Sequence, residues 1–307
     1  MNRQPRVAHL LVLAFGILAV STSSILIRNA LVYAPSLVIA AYRLALATLF
    51  LSPLALTRHR GELAAFSRRE TGLALLSGIF LALHFATWIS SLEFTTVASS
   101  VVLVTTTPLW VALLSPITLH EPLSRPVLIG MTLALVGGVI VGLSDTCTWS
   151  DSALICPPLE EFVRGRAFLG DLLALSGALM AAGYIIIGRR LRVGMSLISY
   201  IFVVYGMAAI VLVALMFAAG QEPFGYPPVT YFWLILIALI PQLLGHSSFN
   251  WALGYLSAAY VSISLLGEPI GSTILAYFLL DETPGTMKII GAILILSGLY
   301  VASRSQN

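Results

Sequence analysis

Long apolar stretches separated by short polar ones make up nearly the whole chain. A run of about 20 apolar residues is long enough to span a bilayer. Lipid cannot satisfy backbone polar groups, so such runs must be helical. They also lack the period-two alternation of barrel strands. The pattern predicts ten membrane-spanning helices, at 7–27, 36–57, 71–92, 97–119, 126–143, 168–187, 196–219, 230–253, 258–280 and 287–302.

The first of these spans follows a basic N-terminus, as the apolar region of a signal peptide does. Its apolar stretch is too long for a signal peptide, and no small-residue cleavage site ends it cleanly. We therefore interpret it as an uncleaved first span.

Composition and charge agree with a membrane protein. The chain is 59% hydrophobic and 9% charged, whereas a soluble domain has about 25% charged residues. The sequence pI is near 9.0, but no basic patch is interleaved with exposed aromatics, so we expect no nucleic-acid partner. If the N-terminus is cytoplasmic, eleven of the sixteen Lys and Arg residues lie in cytoplasmic segments and four outside. The positive-inside rule then predicts a multi-pass protein of the cell inner (cytoplasmic) membrane with both termini cytoplasmic.

The sequence repeats itself without a gap after 161 residues. This offset superposes Ala98 on Ala259, Pro108 on Pro269, Glu121 on Glu282, Gly130 on Gly291 and Gly137 on Gly298. Each half has five spans, and an odd number means that the second half enters the membrane from the opposite face. The predicted fold is an all-α membrane protein of ten transmembrane helices in two inverted five-helix repeats. Its parts are the first repeat (1–144), an external loop (145–167) and the second repeat (168–307).

Two equivalent prolines, Pro108 and Pro269, lie in the middle of spans four and nine. A proline within a helix can kink it and free a backbone carbonyl. Lipid tolerates this only next to protein or a polar cavity. We therefore expect both helices to be kinked and to flank a central cavity.

The two halves carry a recognisable pair of segments around these prolines, "TTVASSVVLVTTTPLWVALLSPITLHEPLS" and "LSAAYVSISLLGEPIGSTILAYFLLDETP". Together with the arginine in "AAYRLALA", Arg43, they resemble the drug/metabolite transporter superfamily, EamA type. The resemblance covers nearly the whole chain and implies a ten-helix transporter. It does not choose a substrate, because the superfamily moves amino acids, sugars, nucleotide conjugates, amines and drugs. The long external loop departs from the usual short connection.

Two charged residues, Arg43 and Glu268, lie well inside spans, where a charge costs about 2.5–3.5 kcal/mol on insertion scales. The functional interpretation makes Glu268 a proton or cation site and Arg43 an anion contact for a carboxylate or phosphate. The alternative is an ion pair or hydrogen bond that locks helices together, and Arg43 could also snorkel to the surface. The repeat equivalent of Glu268 is Thr107, so the fold does not require the carboxylate. We predict that Glu268 faces the central cavity at mid-membrane, where burial disfavours its charged form.

Further polar and aromatic side chains could line the same cavity. Residues four positions apart share one face of a helix, and three such residues in span eight are Gln242, His246 and Asn250. Span three has His84 and Trp88 in the same relation, and Tyr42 is a further candidate. For the histidines the alternative is a hydrogen bond to a neighbouring carbonyl, and for Trp88 it is packing. Aromatics near helix ends, such as Tyr42, more often sit at the membrane interface.

Both cysteines of the chain, Cys147 and Cys156, lie in the external loop. That face of the membrane is oxidising, which favours a disulfide over two free thiols. The loop offers too few ligands for a metal site.

These patterns predict a secondary active transporter, and specifically an exporter, of small polar metabolites such as amino acids or related compounds. The chain has no P-loop and no soluble domain to house one, so we expect no cofactor and energy from a gradient or exchange. The expected partners are a small-molecule substrate, the lipid bilayer and, as candidate coupling ions, protons. The protein itself would be a monomer or homodimer.

Two alternatives stay open. One is an obligate antiporter of anionic metabolites anchored by Arg43. The other is a lipid-modifying membrane enzyme, although the predicted cytoplasmic loops lack the clustered histidines and acids that such chemistry needs.

Overall fold

The computed structural model describes residues 7–118, 125–144, 147–150, 153–156, 165–256 and 258–303. A helix occupies each predicted span. The helices are α1 (Val7–Leu31), α2 (Ser36–Arg58), α3 (Arg68–Ser91), α4a (Val97–Val104), α4b (Thr107–Thr118), α5 (Arg125–Ser144), α6 (Arg166–Arg192), α7 (Leu197–Ala218), α8 (Pro228–Leu253), α9a (Ala258–Ser264), α9b (Gly267–Leu280) and α10 (Thr286–Ser303). A further short helix, Arg60–Ala64, lies between α2 and α3.

The expectation of an all-α membrane fold is confirmed. Within the described residues, seven helices are long and apolar enough to cross a membrane, and α5 and α10 contain shorter apolar helices. Their exposed surface is rich in large apolar side chains, among them Leu18, Phe50 and Phe278, as expected of helices whose solvent is lipid.

One local element was not predicted. Within the loop expected to be irregular, β1 (Thr148–Ser150) and β2 (Ala153–Ile155) form an antiparallel hairpin in which Thr148 pairs with Ile155. Cys147 and Cys156 flank this hairpin and are joined by a disulfide. The bond therefore closes the base of the hairpin.

The two mid-membrane helices with prolines are each interrupted about one turn before the proline. The fourth is broken at 105–106 and the ninth at 265–266. Pro108 and Pro269 consequently stand in the first turn of α4b and α9b, where a missing N–H removes no helical hydrogen bond. At the first break the Thr105 and Thr107 hydroxyls donate to carbonyls one turn back, Val101 O at 2.9 Å and Val104 O at 2.9 Å.

The two halves make the same contacts at equivalent positions. A Cβ atom on Gly16 would lie 2.9 Å from Ser248 Cβ, and one on Gly177 would lie 3.2 Å from Thr87 Oγ1. Both pairs are related by the offset of 161, so the α1–α8 contact is repeated as the α6–α3 contact. Each contact is close because a glycine replaces the side chain that would separate the helices.

The equivalent helices α5 and α10 pack directly against each other. Gly137 lies against Gly291 and Gly298 lies against Gly130. As residue numbers increase along α5, the numbers of the residues that they contact decrease along α10. The two helices are therefore antiparallel. The halves thus run in opposite directions, as an inverted repeat requires.

Candidate functional site

A cavity of about 50 Å³ lies where the two halves meet. Its walls come from α1, α3, α4, α6, α8 and α9. The lining residues are Val20, Ser23, His84, Trp88, Val104, Thr105, Thr107, Ala181, Tyr184, Ile185, His246, Phe249, Asn250, Leu253, Val261, Leu265 and Glu268. Among the described residues, none from α5 or α10 lines it. These two helices therefore form a scaffold pair, distinct from the helices around the cavity.

The pseudo-two-fold axis passes beside this cavity. Phe85 and His246 are equivalent positions, and their ring centroids are 5.1 Å apart. Two equivalent residues can touch only where the axis passes between them. The cavity therefore occupies the place where inverted-repeat transporters bind substrate, at the interface between repeats.

Arg43 is fully buried beside the cavity, with 0% exposure. Its Nε donates to Gln242 Oε1 at 2.7 Å, and its Nη1 donates to Ser23 Oγ at 2.7 Å. The guanidinium carbon lies 4.1 Å from the centroid of the Phe85 ring. The snorkelling alternative is therefore wrong, because the side chain is held inside the bundle. Its Nη2 is buried and has no hydrogen-bond partner within the described residues.

Glu268 stands in the first turn of α9b and lines the cavity, with 9% exposure. The preceding break in the helix leaves it next to the α9b N-terminus, whose dipole favours a negative charge. Among the described residues, no ion pair within 4.0 Å joins Glu268 to Arg43.

The three polar residues of α8 lie in a helix that is not a regular α-helix throughout. Residues Ala238–His246 form a π-helix, which changes the angle between successive side chains. Gln242 reaches Arg43, His246 lines the cavity, and Asn250 Nδ2 donates to the hydroxyls of Tyr184 and Tyr205. All three still point into the bundle. Like Arg43 Nη2, the buried Gln242 Nε2 and Asn250 Oδ1 have no partner among the described residues.

The α3 residues His84 and Trp88 both line the cavity and stack on each other, with ring centroids 5.8 Å apart and planes at 10°. His84 Nδ1 lies 2.9 Å from Gly177 O. A carbonyl can only accept, so Nδ1 carries a proton and the neutral ring offers Nε2 as an acceptor. His84 therefore makes the carbonyl contact that was the structural alternative, and it also faces the cavity. Within the described residues, no group of three His, Cys, Asp or Glu side chains could hold a metal ion.

Tyr42 is not part of this cavity. Its hydroxyl donates to Pro223 O at 2.9 Å, and its ring lies edge-on to Tyr231. It belongs to the end of the bundle, which is the interface position that sequence statistics favour for such aromatics. Tyr184 lines the cavity instead.

The two repeats differ at several of the polar positions in and beside the cavity. In the other repeat, apolar residues replace four of them. These equivalents are Val204 for Arg43, Leu81 for Gln242, Ile89 for Asn250 and Phe85 for His246, and all four are fully buried. The fold therefore accepts an apolar side chain in each of these places. Packing alone therefore does not require the polar ones.

Sequence reasoning gave too little weight to Ser23, which contacts Arg43, and to Tyr184, which contacts Asn250. They are equivalent positions of the repeat. Serine in an apolar helix usually bonds its own backbone, so Ser23 alone gives a weak signal. Comparing the repeats position by position would have selected both.

A helical membrane fold built twice, with buried charged groups around a cavity between the halves, defines the class of membrane transporters. The chain belongs to the EamA-like transporter family, whose sequence profile matches residues 7–143 and again 168–304. The two matches are separated by the offset of the internal repeat. The family and the names of relatives indicate a transporter rather than an enzyme.

Relatives with assigned names are distant but extend over most of the chain. A protein of Archaeoglobus fulgidus named an uncharacterized transporter is 22% identical over 76% of this chain and 75% of its own. The pseudopaline exporter CntI of Pseudomonas aeruginosa is 22% identical over 94% of this chain and 93% of its own. One solved structure matches with a TM-score of 0.65 and 18% identity over 99% of this chain and all of that chain, which supports the fold alone.

Proposed function

We propose that this protein is a secondary active transporter that exports a small polar metabolite with a carboxylate, such as an amino acid or a related compound, in exchange for protons. The observation that carries the proposal is the buried Arg43, fixed by Ser23 and Gln242 beside a cavity at the repeat interface. The cytoplasmic membrane is the proposed location.

The carboxylate specificity rests on the geometry of Arg43. Its Nε and Nη1 are occupied by protein acceptors, while its buried Nη2 has none among the described residues. A guanidinium nitrogen in an apolar site binds a carboxylate oxygen through a strong charge-assisted hydrogen bond. A substrate carboxylate at Nη2 would complete the hydrogen bonds of the side chain.

Proton coupling rests on Glu268. A carboxyl group inside the membrane without a fixed cationic partner can exist with or without its proton. A substrate ammonium group and a proton would compete for this one carboxylate, and that competition would couple the two movements. The outward direction is supported by a relative that is named as an exporter.

The cavity must change size during transport. A volume of about 50 Å³ holds only a few water molecules, since one water needs about 10–15 Å³ on this measure. Binding of a metabolite therefore requires the surrounding helices to move. The interruptions in α4 and α9, which lie beside the cavity, are the places where these helices can bend.

The substrate can be found without an assumption about direction. A ligand at 100 times its Kd stabilises a folded protein by about 2.7 kcal/mol, so a thermal-shift screen of metabolites on the detergent-purified protein would identify it. Transport of that compound is then measured in proteoliposomes across a range of pH. We expect Glu268→Gln to fold but to lose the pH dependence, and Arg43→Gln to lose the thermal shift.

Thr107→Val serves as the matched control, because Thr107 is the repeat equivalent of Glu268 and also lines the cavity. It should keep the pH dependence. A Glu268→Gln protein that transports at the wild-type rate with an unchanged pH profile would make Glu268 structural.

A second candidate is obligate exchange of anionic metabolites, which the buried Arg43 cation also favours. Counterflow of a labelled anion in liposomes without a proton gradient distinguishes the two. Equal counterflow in wild-type and Glu268→Gln protein would support the exchanger.

A further inference from the structure

One end of the bundle is closed by polar contacts that do not involve the substrate cavity. Glu282 Oε1 pairs with Arg28 Nη2 at 3.3 Å, and Glu282 Oε2 accepts the Val97 N–H at 3.0 Å. Arg28 Nη1 also donates to the carbonyls of Leu92 and Thr95. These contacts tie together the ends of α1, α3 and α9b and the start of α4a. The arginine distribution predicts that this end is external.

Local sequence places Glu282 at this position. Asp281 follows the last residue of α9b and has φ 55°, the left-handed conformation that often terminates helices. The chain turns there, and Glu282 N–H donates back to Ala276 O at 3.2 Å. The carboxylate is thereby directed at the N-terminus of α4a, whose dipole attracts an anion.

The opposite end of the bundle repeats part of this arrangement. Arg189 is the repeat equivalent of Arg28, and its Nη1 donates to Leu253 O at 2.7 Å. Leu253 is the equivalent of Leu92, so both arginines contact the C-terminal end of an equivalent helix. The repeat counterpart of Glu282 is Glu121, which lies outside the described residues. Alternating access requires one gate at each end of the bundle, and this contact occurs at both ends.

The helix α9b links the cavity to this end. It has 14 residues, which is about 21 Å at 1.5 Å per residue. Glu268 lies in its first turn and Glu282 lies two residues beyond its last. The break at 265–266 precedes it. A change at Glu268 can therefore move the far end of one short rigid helix.

We propose that Arg28 and Glu282 form the external gate of the transport cycle and that α9b carries the conformational change between Glu268 and this gate. The side chains of the pair are 32% and 20% exposed, so water can compete with the contact and the gate can open. The role of this gate rests on the proposed transport function, but the test of the gate needs neither a substrate nor a proton gradient.

The test measures access to the cavity. Ala181 lines the cavity and is replaced by cysteine as a reporter. Both native cysteines are joined in a disulfide, so the reporter supplies the reactive thiol. A membrane-impermeant maleimide is added at the Arg28 side of oriented vesicles, and the labelling rate is measured. Glu282→Gln and Arg28→Gln should each raise it about two- to fivefold, the population change expected from an exposed ion pair.

Arg189→Gln is the matched control and should raise labelling only from the opposite side. Wild-type labelling rates in both single variants would overturn the proposal, as would an equal rise from the Arg28 side in Arg189→Gln. Because labelling needs no transport, an unchanged pH profile in Glu268→Gln would refute proton coupling and leave this result intact.

Discussion

Adjacent glycines in α5 offer a test of the scaffold formed by α5 and α10. A Cβ atom on Gly137 would lie 2.6 Å from Gly291 O and 2.9 Å from Ile295 N, both backbone atoms that cannot turn aside. A Cβ atom on Gly138 would meet only Leu103 Cδ2, at an ordinary 3.6 Å. Alanine at the first position must push two helices apart, whereas at the second it fits.

The expected energies have opposite signs. Alanine replaces glycine in a helix with a gain of about 0.5–1 kcal/mol, while overpacking costs about 1–3 kcal/mol. Gly138→Ala should therefore be neutral or stabilising. Gly137→Ala should be destabilising by about 0.5–2 kcal/mol. At about 2–4 °C per kcal/mol, the two variants should differ in Tm by several degrees.

The assay is thermal unfolding of both variants in one detergent, followed by intrinsic fluorescence. Substrate affinity of the folded fraction should be equal in the two, because neither α5 nor α10 lines the cavity. If Gly137→Ala melts at or above the Tm of Gly138→Ala, the close α5–α10 packing is refuted.

Three other predictions concern the loops, the site and the hinge. Partial burial acting alone would raise the pKa of Glu62. Hydrogen bonds from Ser196 and other donors outweigh burial and lower this pKa from 4.5 to about 2. Glu62→Gln should therefore be less stable than wild type at pH 7, and melting curves should show the difference shrinking as pH falls from 4.5 towards 2. Gln242→Leu, which installs the residue of the other repeat, should retain the fold but weaken ligand binding by about tenfold or more in titration, because Arg43 loses a charge-assisted bond. Pro269→Ala should clearly slow transport in liposomes but should change Tm only slightly.

Hydrophobic runs and the repeat were sufficient to predict the helices. Lipid leaves few alternatives, since an apolar run of this length can only be a helix. The same rules placed Glu268 in the cavity wall, because a carboxyl group in a span must face inward. The β1–β2 hairpin was missed because three-residue strands carry almost no periodicity.

The partners of the site residues could not be predicted. The contact between Arg43 and Gln242 joins α2 to α8 across nearly 200 positions of sequence, and it depends on how whole helices pack. The π-helix in α8 also rotates Gln242 relative to Asn250, which no spacing rule for a regular helix anticipates. Tyr42 was misplaced for a related reason, since its hydroxyl bonds the distant carbonyl of Pro223.

The paired contacts Gly16–Ser248 and Gly177–Thr87 have a consequence for how the chain could be rebuilt. When the two halves make the same contacts, folding of the bundle does not depend on which half is translated first. A circular permutant that begins at residue 168 and joins its end to residue 7 should therefore fold into the same bundle. Residues that differ between the halves, Arg43 and Glu268 among them, would still make the two open forms of the rearranged protein unequal in energy.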